Sequence, residues 1–531
     1  MGRKILFITT DQMRFDSLGC NGGKIARTPT IDKLAREGIN YSRCHAQNVV
    51  CMPARATMIT GQYVSTHGVW MNGVPLPIDA PSVARHLKDK KGYRTALLGK
   101  AHFEPFLDFQ LKFAENRMGI EGSFGPHRGF DHMELAAHGS RGPTHYACWL
   151  MANHPEMTNN FYPVLNNTLT QNAFGEGDTG AVQVKRNATP RALYHTDWVA
   201  DRTIAYLDSL SAEEDWFVWM SFPDPHHPWD PPAEEIHRIN WRELDVPAGY
   251  PGSAEKIETI LADKPRHWLE WWNGTRTTCY EAPPDWVPSM LTTDQLREID
   301  ALTHVKNELI DEAVGRVMAR IAARGWNDDT DVVFTTDHGE FQGDFGLLFK
   351  GPHHVESLMR LPLIWRPAPK ADIVPITSDA PVGQVDLAPT FCTIAGVPIP
   401  EWMQGSALPT ATGSPRERAI TEWDSQFAQL GMHLRSIYRD GFMCTVYEPT
   451  TRDVGFDLSR AYQALRIATP IPDIRYNGTE GELYDLRNDP LQWRNLWNDP
   501  GHSKLKSDLI ADLYANLPPA RIPALTVEAP A

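Results

Sequence analysis

Four short runs of apolar residues stand out along the chain, and segments with a helical repeat of apolar positions separate them. The runs are KILFITT (4–10), YRTALLGK (93–100), WFVWMSF (216–222) and DVVFTT (331–336). Apolar runs of this length are typical of strands that are buried on both faces of a sheet. Apolar positions three and four apart predict helices at 30–38, 197–210 and 299–325. The alternation predicts an α/β fold with a large, mostly parallel or mixed sheet between layers of helices.

Polar residues follow each of these runs at the point where the predicted strand ends. They are Asp11 and Gln12, Lys100 and His102, His226, and Asp337 and His338. Ligands of parallel sheets bind beyond the carboxyl ends of the strands. We therefore expect these side chains to meet in one site.

The last quarter of the chain has a different pattern. Proline, glycine and serine gather at PTATGSPRER (409–418), which predicts a linker. The shorter runs after it, MHLRSIYRDGFMCTVYE (432–448) and ELYDLRNDP (482–490), suit a small antiparallel sheet. We predict a catalytic α/β domain over 1–410 and a smaller α+β domain over 411–531. The irregular intervals 103–190 and 229–295 are interpreted as loop insertions over the active edge of the large sheet.

A cysteine stands just before a predicted helix, in QNVVCMPARATMITG (47–61). Pro53 fits the first helical position, where a missing N–H costs nothing, and Gly61 can end the helix. Cys51 would then lie at the helix N-terminus, where the helix dipole favours negative charge, with Arg55 one turn further on. Taken alone, the pattern also fits a small buried cysteine and a surface arginine.

Composition limits the classes of partner. The net charge of −15 over 531 residues disfavours binding to nucleic acid or to an anionic membrane surface. Any anionic substrate is therefore expected to be small and held by a few cations. Seven cysteines do not predict a disulfide framework, and we find no signal peptide or membrane-spanning run, so we expect a cytoplasmic protein.

The segment around Cys51 resembles a known family. Cys51-Met52-Pro53-Ala54-Arg55 resembles the Cys-x-Pro-x-Arg signature of sulfatases, and both ATMITGQYVSTHGVWMNG after it and RTPTIDKLAREGINY before it look like the neighbouring sulfatase sequence. The C-terminal ELYDLRNDPLQWRNL (482–496) resembles the family's ending. The resemblance implies an alkaline phosphatase-like fold and oxidation of Cys51 to formylglycine by a formylglycine-generating enzyme. It also implies arylsulfatase-like hydrolysis of a small anionic sulfate ester through a covalent sulfo-enzyme intermediate, with Arg55 orienting the nucleophile.

By the same resemblance a single divalent metal ion would be bound by Asp11, Gln12, Asp337 and His338. Common sulfatases carry aspartate at the place of Gln12 and asparagine at the place of His338, and their oxygen ligands suit Ca2+. An imidazole ligand favours Mn2+ or Zn2+, so we expect Mn2+ first, Ca2+ next and Zn2+ as a third candidate. The Asp-Gln and Asp-His pairs look like those of phosphonate monoester hydrolases.

Other matches to the sulfatase pattern supply the remaining catalytic candidates. Lys100 and His102 in LLGKAHF match Gly-Lys-x-His, and imply charge for the sulfuryl oxygens and help in releasing sulfate. FPDPHHPW resembles the Pro-His-x-Pro segment, which selects His226 as the leaving-group acid. Lys350 in FGLLFKG would bind the anion and the leaving oxygen, and Asn72 in HGVWMNG would contact the anion.

Three alternatives remain open on the sequence. A phosphonate monoester or phosphodiester hydrolase is favoured by Gln12 and His338 and opposed by Lys100 and His102. A phosphomutase-like isomerase would need a serine or threonine nucleophile and ligands for a second metal, and a non-enzymatic binding protein leaves the cations unexplained. The tryptophans of RHWLEWWNG (266–274) would wall an aryl pocket, stack on a quaternary ammonium group, pack within the chain, or form a subunit contact. We also expect a homo-oligomer.

Overall fold

The computed structural model describes residues 2–106, 108, 110–163, 175–275, 281–283, 286–413, 415–424, 432–449 and 474–529. Residue 414 of the predicted linker and parts of both predicted insertions lie outside the described residues.

The helices of the described residues are numbered α1 to α13. They are α1 Pro29–Arg36, α2 Cys51–Thr60, α3 Val64–His67, α4 Val83–Lys91, α5 Ala114–Glu121, α6 His145–Asn153, α7 His195–Ser209, α8 Ala254–Ala262, α9 His267–Trp272, α10 Thr293–Ala323, α11 Glu356–Met359, α12 Leu387–Ala395 and α13 Ser503–Asn516.

The strands of the same residues are numbered β1 to β15. They are β1 Lys4–Asp11, β2 Ile39–Tyr41, β3 Cys44–His45, β4 Arg94–Gly99, β5 His132–Leu135, β6 Trp216–Pro225, β7 Thr330–Thr336, β8 Arg360–Leu361, β9 Leu363–Arg366, β10 Ile376–Ser378, β11 Val382–Gly383, β12 Arg418–Trp423, β13 His433–Arg439, β14 Phe442–Glu448 and β15 Gly481–Asp485.

A large mixed sheet forms the centre of the molecule. Its strand order, over the described residues, is β10-β2-β9-β7-β1-β6-β4-β5. The four predicted strands are the neighbouring, mutually parallel strands β7, β1, β6 and β4, whereas β9 runs antiparallel to β7 and β2. The predicted mostly parallel or mixed sheet is confirmed. Because β7, β1 and β6 are parallel and adjacent, their carboxyl ends lie side by side.

Helices cover both faces of this sheet, as predicted. Successive residues of β1 point to opposite faces: Phe7 belongs to one apolar core and Leu6 to the other. Phe391 of α12 packs on Phe7, with ring centroids 5.0 Å apart, while α7 and α10 pack on the opposite face. Buried on both faces, the central strands read as continuous apolar runs.

The helix α2 carries the cysteine of the signature and is buried along its whole length. It begins at Cys51, so Pro53 is its third residue and the predicted first position is wrong by two. Proline is tolerated there because the first four N–H groups of a helix have no partner within the helix. Gly61 ends the helix as predicted, with φ of +66° and its N–H donated to Thr57 O.

A second, antiparallel sheet has the order β12-β13-β14-β15, which confirms the small antiparallel sheet predicted for the C-terminal part. Leu509 and Leu513 of α13 pack in its apolar core. Its strand β12 also contacts the segment just before α2, because Glu422 N donates to Gln47 O at 2.9 Å and Asn48 Nδ2 donates to Glu422 O at 2.8 Å. The sheet thus lies against the chain that leads into Cys51. No helix among the described residues is long and apolar enough to cross a membrane.

Candidate active site

Cys51 lies where the parallel strands end. Its Sγ is 3.1 Å from His338 Nε2 and 3.7 Å from Asp11 Oδ1. Asp11 ends β1, and Asp337 and His338 directly follow β7. Burial, helped by the charge of Asp11, raises the pKa of the Cys51 thiol to about 12, so the unmodified side chain is a neutral thiol and a poor nucleophile.

The same residues offer a donor set for a metal ion. One ligand atom from each of Asp11, Cys51, Asp337 and His338 lies within 4.8 Å of the others, and all four side chains are buried. His338 Nδ1 lies 2.9 Å from Gly339 O, which assigns the ring proton to Nδ1 and leaves the Nε2 lone pair facing the two carboxylates. Burial also lowers the pKa of His338, which keeps the ring neutral. Two carboxylates and one neutral imidazole fit a divalent cation of the Mn2+ or Zn2+ type.

Gln12 is next to Asp11 but its amide has other partners. Its backbone N–H donates to Asp337 Oδ1 at 3.0 Å, and its φ is +66°. The side-chain Nε2 donates to Glu340 and lies 3.2 Å from His227 Nδ1. Oε1 accepts a hydrogen bond from Lys350 Nζ at 2.8 Å. The side-chain amide of Gln12 therefore links Lys350 to Glu340. The role of Gln12 as a metal ligand stays a prediction.

Arg55 is completely buried beneath Cys51. Its Nε donates to Asp337 Oδ2 at 2.9 Å, and its Nη1 donates to Lys100 O at 2.7 Å and Ser221 Oγ at 2.9 Å. The guanidinium group thus fixes one carboxylate of the donor set and the strand end that carries Lys100. This geometry uses the rigid fork of arginine, which lysine lacks.

Lys100 provides a second cation beside Asp11. Its Nζ forms an ion pair with Asp11 and lies 3.2 Å from His138 Nε2. Burial alone would raise the pKa of Asp11, but Lys100 and the neighbouring histidines hold it well below its usual range. Among the described residues His102 has no hydrogen-bond partner on either ring nitrogen. Burial, Lys100 and Arg55 together depress the pKa of His102 far below its ordinary value.

Lys350 is a further cation of the site, bonded to Gln12 and His226. Its Nζ is 2.9 Å from His226 Nε2 and forms an ion pair with Glu281. His226 Nδ1 donates to His227 O, so Nε2 is the nitrogen that accepts from the lysine. His227 instead places Nε2 3.2 Å from Glu281 Oε2. Burial depresses the pKa of His226, helped by His227 and Lys350, and lowers that of His227 to about 4.

Asn72 reaches the site from the loop after α3. Its Oδ1 accepts a hydrogen bond from Met52 N at 2.9 Å, so it caps the first turn of α2 from the side. Because Met52 follows Cys51, the position of Asn72 is tied to that of the cysteine.

A cavity of about 260 Å3 opens above the cysteine. Among the predicted site residues, those in its lining are Cys51, Asn72, Lys100, His102 and His226. The four candidate metal ligands are not part of this lining, and neither are Arg55 and Lys350. The lining also includes Phe106, Phe161 and Tyr162 from the interval 103–190, whose interpretation as an insertion over the active edge stays a prediction.

The tryptophans of the second insertion do not line this cavity within the described residues. Trp268, Trp271 and Trp272 are buried in the main core. Trp268 stacks edge-on against Phe341 and Phe345, with ring centroids 6.0 and 5.1 Å away. Of the interpretations left open, the structure supports packing.

Sequence reasoning missed several residues that contact the predicted ones. These are His138, Ser221, Glu281 and Glu340. Glu340 stands three residues after Asp337, in DHGE, and could have been found as part of that strand end. His138 follows the short strand β5, which the apolar pattern did not predict. Glu281 lies in an irregular loop with no sequence signal.

The chain is similar in sequence to a known protein family and to individual members of it. The Sulfatase family model matches residues 3–397. An uncharacterized sulfatase, YidJ, of Escherichia coli (strain K12) is 26% identical over 505 residues, which cover 95% of this chain and 85% of that protein. The multifunctional alkaline phosphatase superfamily protein PehA of Trinickia caryophylli is 25% identical over 521 residues, which cover 95% and 93%.

A solved structure shares the fold over nearly the whole chain. The crystal structure of the phosphonate monoester hydrolase of Agrobacterium radiobacter superposes with a TM-score of 0.75 at 22% identity, covering 97% of this chain and 95% of that one. The alkaline phosphatase-like fold expected from the sequence is confirmed.

Proposed function

The chain belongs to the sulfatase family and is a sulfuric ester hydrolase, and from this premise we propose that it hydrolyses sulfate monoesters, in the manner of an arylsulfatase, with a formylglycine made from Cys51 and one divalent metal ion. One observation carries the proposal. Cys51 Sγ lies 3.1 Å from His338 Nε2 and 3.7 Å from Asp11 Oδ1, in a cavity that Lys100 also lines. A small tetrahedral anion entering this cavity would meet the positive charge of Lys100 beside residue 51.

Asp11, Asp337 and His338 would hold the metal ion, and the imidazole ligand favours Mn2+ over Ca2+. Bound there, a divalent cation supplies charge that lowers the pKa of a hydroxyl group at position 51. Lys100 keeps Asp11 ionised, and Arg55 holds Asp337 in place through the bond from its Nε.

Residue 51 contributes the reacting oxygens. Hydrated formylglycine has two hydroxyl groups on one carbon, and the oxygen of the first forms a bond to sulfur while the bond from sulfur to the ester oxygen breaks. The second hydroxyl group then loses its proton and becomes the aldehyde oxygen, and the bond to sulfate breaks. Water restores the diol, so the net reaction converts ester and water to alcohol and sulfate. A formylglycine-generating enzyme in the host would be needed to produce the residue.

The pair of Lys350 and His226 would hold the proton that the leaving oxygen takes. His226 is neutral, with its Nε2 accepting from the lysine at 2.9 Å, so one proton is shared between Lys350 Nζ and His226 Nε2, and the leaving ester oxygen would take it there. Lys100 would bind the sulfuryl oxygens from the other side. His102, neutral and next to Lys100, is placed to take the proton of the second hydroxyl group.

A second candidate function is hydrolysis of phosphonate monoesters or phosphodiesters. Gln12 and His338 favour it, because their pairing with Asp11 and Asp337 resembles phosphonate monoester hydrolases, and the relative PehA is named multifunctional. Lys100 and His102 favour the sulfatase. Both substrates present a tetrahedral anionic centre, so one site can process both at different rates.

The test compares kcat/KM for 4-nitrophenyl sulfate and for the 4-nitrophenyl ester of phenylphosphonate, with protein from a host that makes formylglycine. We expect the larger value for the sulfate, and a larger value for the phosphonate would reverse the order of the two functions. Cys51→Ala should abolish both activities. Cys51→Ser is the matched control, because serine can accept the sulfuryl group but lacks the second hydroxyl group, so it should stop after one turnover.

A further inference from the structure

The loop that follows α2 is bound back to that helix at both of its ends. Near its start, His67 Nε2 lies 3.0 Å from Thr57 Oγ1 in the middle of α2. Near its end, Asn72 accepts from Met52 N at 2.9 Å, and Gly73 N lies 3.1 Å from Met52 Sδ. We call residues 64–73, which comprise the short helix α3 and the turn after it, the Asn72 loop. Any shift of this loop moves both a wall of the cavity and the first turn of the helix that carries Cys51.

The C-terminal segment, residues 521–529, lies along the outer side of the Asn72 loop. Three hydrogen bonds of 2.8 Å join them, from Arg521 N to Ser65 O, from Trp70 Nε1 to Leu525 O and from Glu528 N to Gly73 O. Val527 and Ala529 are 4% and 9% exposed, although they are close to the end of the chain. The segment is therefore seated along the whole loop rather than touching it at one point.

Two glycines of the loop make this close approach feasible. A Cβ atom on Gly73 would lie 2.6 Å from Ala529 O, and one on Gly68 would lie 2.6 Å from Arg521 Cδ. Both glycines have positive φ, +90° and +79°, which other residues rarely adopt. The positive φ angles of these two glycines and their missing Cβ atoms thus allow the C-terminal segment to pass close to the backbone of the loop.

The C-terminal segment does not itself reach the substrate site. None of the described residues 521–529 lines the cavity above Cys51. Within the described residues, three backbone and side-chain hydrogen bonds tie it to the Asn72 loop, and Glu528 also forms an exposed ion pair with Lys112. The segment is separated from that loop by about 450 positions of sequence. Such an arrangement can position a site but cannot take part in the chemistry.

We propose that the C-terminal segment is a positioning element of the active site: it clamps the Asn72 loop from outside and so holds Asn72 and the first turn of α2 in register with the cavity. The proposal rests on the proposed function for the role of Asn72 as an anion contact. Since displacement of a substrate-positioning group by about 1 Å can cost 10²-fold in rate, loss of the clamp should be visible in the kinetics.

The test uses a chain that ends at Ala520, measured with 4-nitrophenyl sulfate. We expect KM to rise about tenfold or more with a smaller change in kcat, because every folded molecule would bind the anion less well. A purely structural role would instead lower kcat in proportion to the folded fraction and leave KM unchanged, and that result would overturn the proposal. Adding the peptide 518–531 should restore KM.

Two single substitutions keep the test valid even if the shortened chain fails to fold. Trp70→Phe removes the N–H that Leu525 O accepts, together with the pyrrole part of the ring, and should raise KM at least fivefold, about the value of one hydrogen bond. Glu528→Gln is the matched control, since it breaks only the exposed ion pair with Lys112 and should change KM by less than about twofold. Equal KM values for wild type and Trp70→Phe would contradict the proposal.

Hydrogen exchange separates this inference from the proposed function. In the shortened chain, the backbone amides of Met52, Ala54 and Arg55 and of residues 65–73 should exchange faster, while those of the central sheet do not change. If the wild type fails to hydrolyse 4-nitrophenyl sulfate but these amides respond, the proposed function is wrong and the clamp stands. Unchanged exchange in both stretches would overturn the clamp whatever the enzyme hydrolyses.

Discussion

Replacing Arg55 by methionine tests how the carboxylates of the site are kept in place. The guanidinium group is fully buried and bonds Asp337 at 2.9 Å, with a longer contact of 4.0 Å to Asp11. Removing one partner of a buried ion pair costs about 3–5 kcal/mol, because the other charge is left uncompensated. We therefore expect Arg55→Met to lower the free energy of unfolding by about 4 kcal/mol in the presence of a chelator. Urea titration followed by tryptophan fluorescence measures the change.

Metal binding provides the second part of this prediction. A divalent cation bound near Asp337 would replace part of the lost positive charge, so saturating Mn2+ should reduce the stability deficit of Arg55→Met. Arg435→Met is the matched control: Arg435 Nη2 bonds the partly buried Asp424 at 2.8 Å beside the smaller sheet, outside every candidate metal group of the described residues. Its deficit should be similar and should not respond to Mn2+. A loss below about 1 kcal/mol for Arg55→Met in chelator, or the same metal response in both variants, would refute the reasoning.

Three further predictions concern the metal, the pH dependence and the leaving group. His338→Asn replaces the imidazole by an oxygen ligand, so elemental analysis after equilibration with equal Mn2+ and Ca2+ should show a shift toward Ca2+. Burial lowers the pKa of Lys264 from 10.5 to about 8, so between these two pH values the folded chain binds fewer protons than the unfolded chain. As pH rises through this range, the wild type should gain about 3 kcal/mol of stability over Lys264→Met. Urea titrations at each pH measure this gain. His226→Ala should lower kcat about 10²-fold more for phenyl sulfate than for 4-nitrophenyl sulfate, whose leaving group needs no proton, and equal losses would exclude a role in protonation.

The sequence predicted the centre of the fold because its strands carry the strongest apolar signal. Strands β1, β4, β6 and β7 are buried on both faces and therefore read as unbroken apolar runs. Helix α10 was predicted from 299, but it begins at Thr293, where Thr292 and Gln295 form a capping box. That signal lies in TTDQ and outweighs the weak apolar repeat of the first turn.

The site was predicted to the extent that motifs mark it. Cys51 and Asp337 come together because neighbouring parallel strands and α2 end at the same edge of the sheet, and this follows from topology once the strands are known. The partners of Gln12 could not be predicted in the same way. Its amide faces Glu340 and Lys350, and which contacts an amide makes depends on side-chain packing that no spacing rule encodes.

Long-range contacts set the remaining limit. Glu281 meets Lys350 across 69 positions of sequence, and the C-terminal segment meets Trp70 across 455. Neither contact leaves a periodic pattern, because each depends on where a loop or a chain end folds back. The smaller sheet was predicted from alternating apolar positions, but its contact with the segment before Cys51 was not.

The most direct test of the account is tandem mass spectrometry of the tryptic peptide 44–55, from protein made in a host with a formylglycine-generating enzyme. Conversion of the Cys51 thiol to an aldehyde lowers the mass of this peptide by about 18 Da, or leaves it nearly unchanged as the diol, and only the converted residue forms a hydrazone with a hydrazine reagent. We predict that the hydrazone forms at residue 51 and that its extent tracks kcat across preparations. A peptide whose Cys51 thiol is intact, in a preparation that turns over 4-nitrophenyl sulfate at the full rate, would contradict the account.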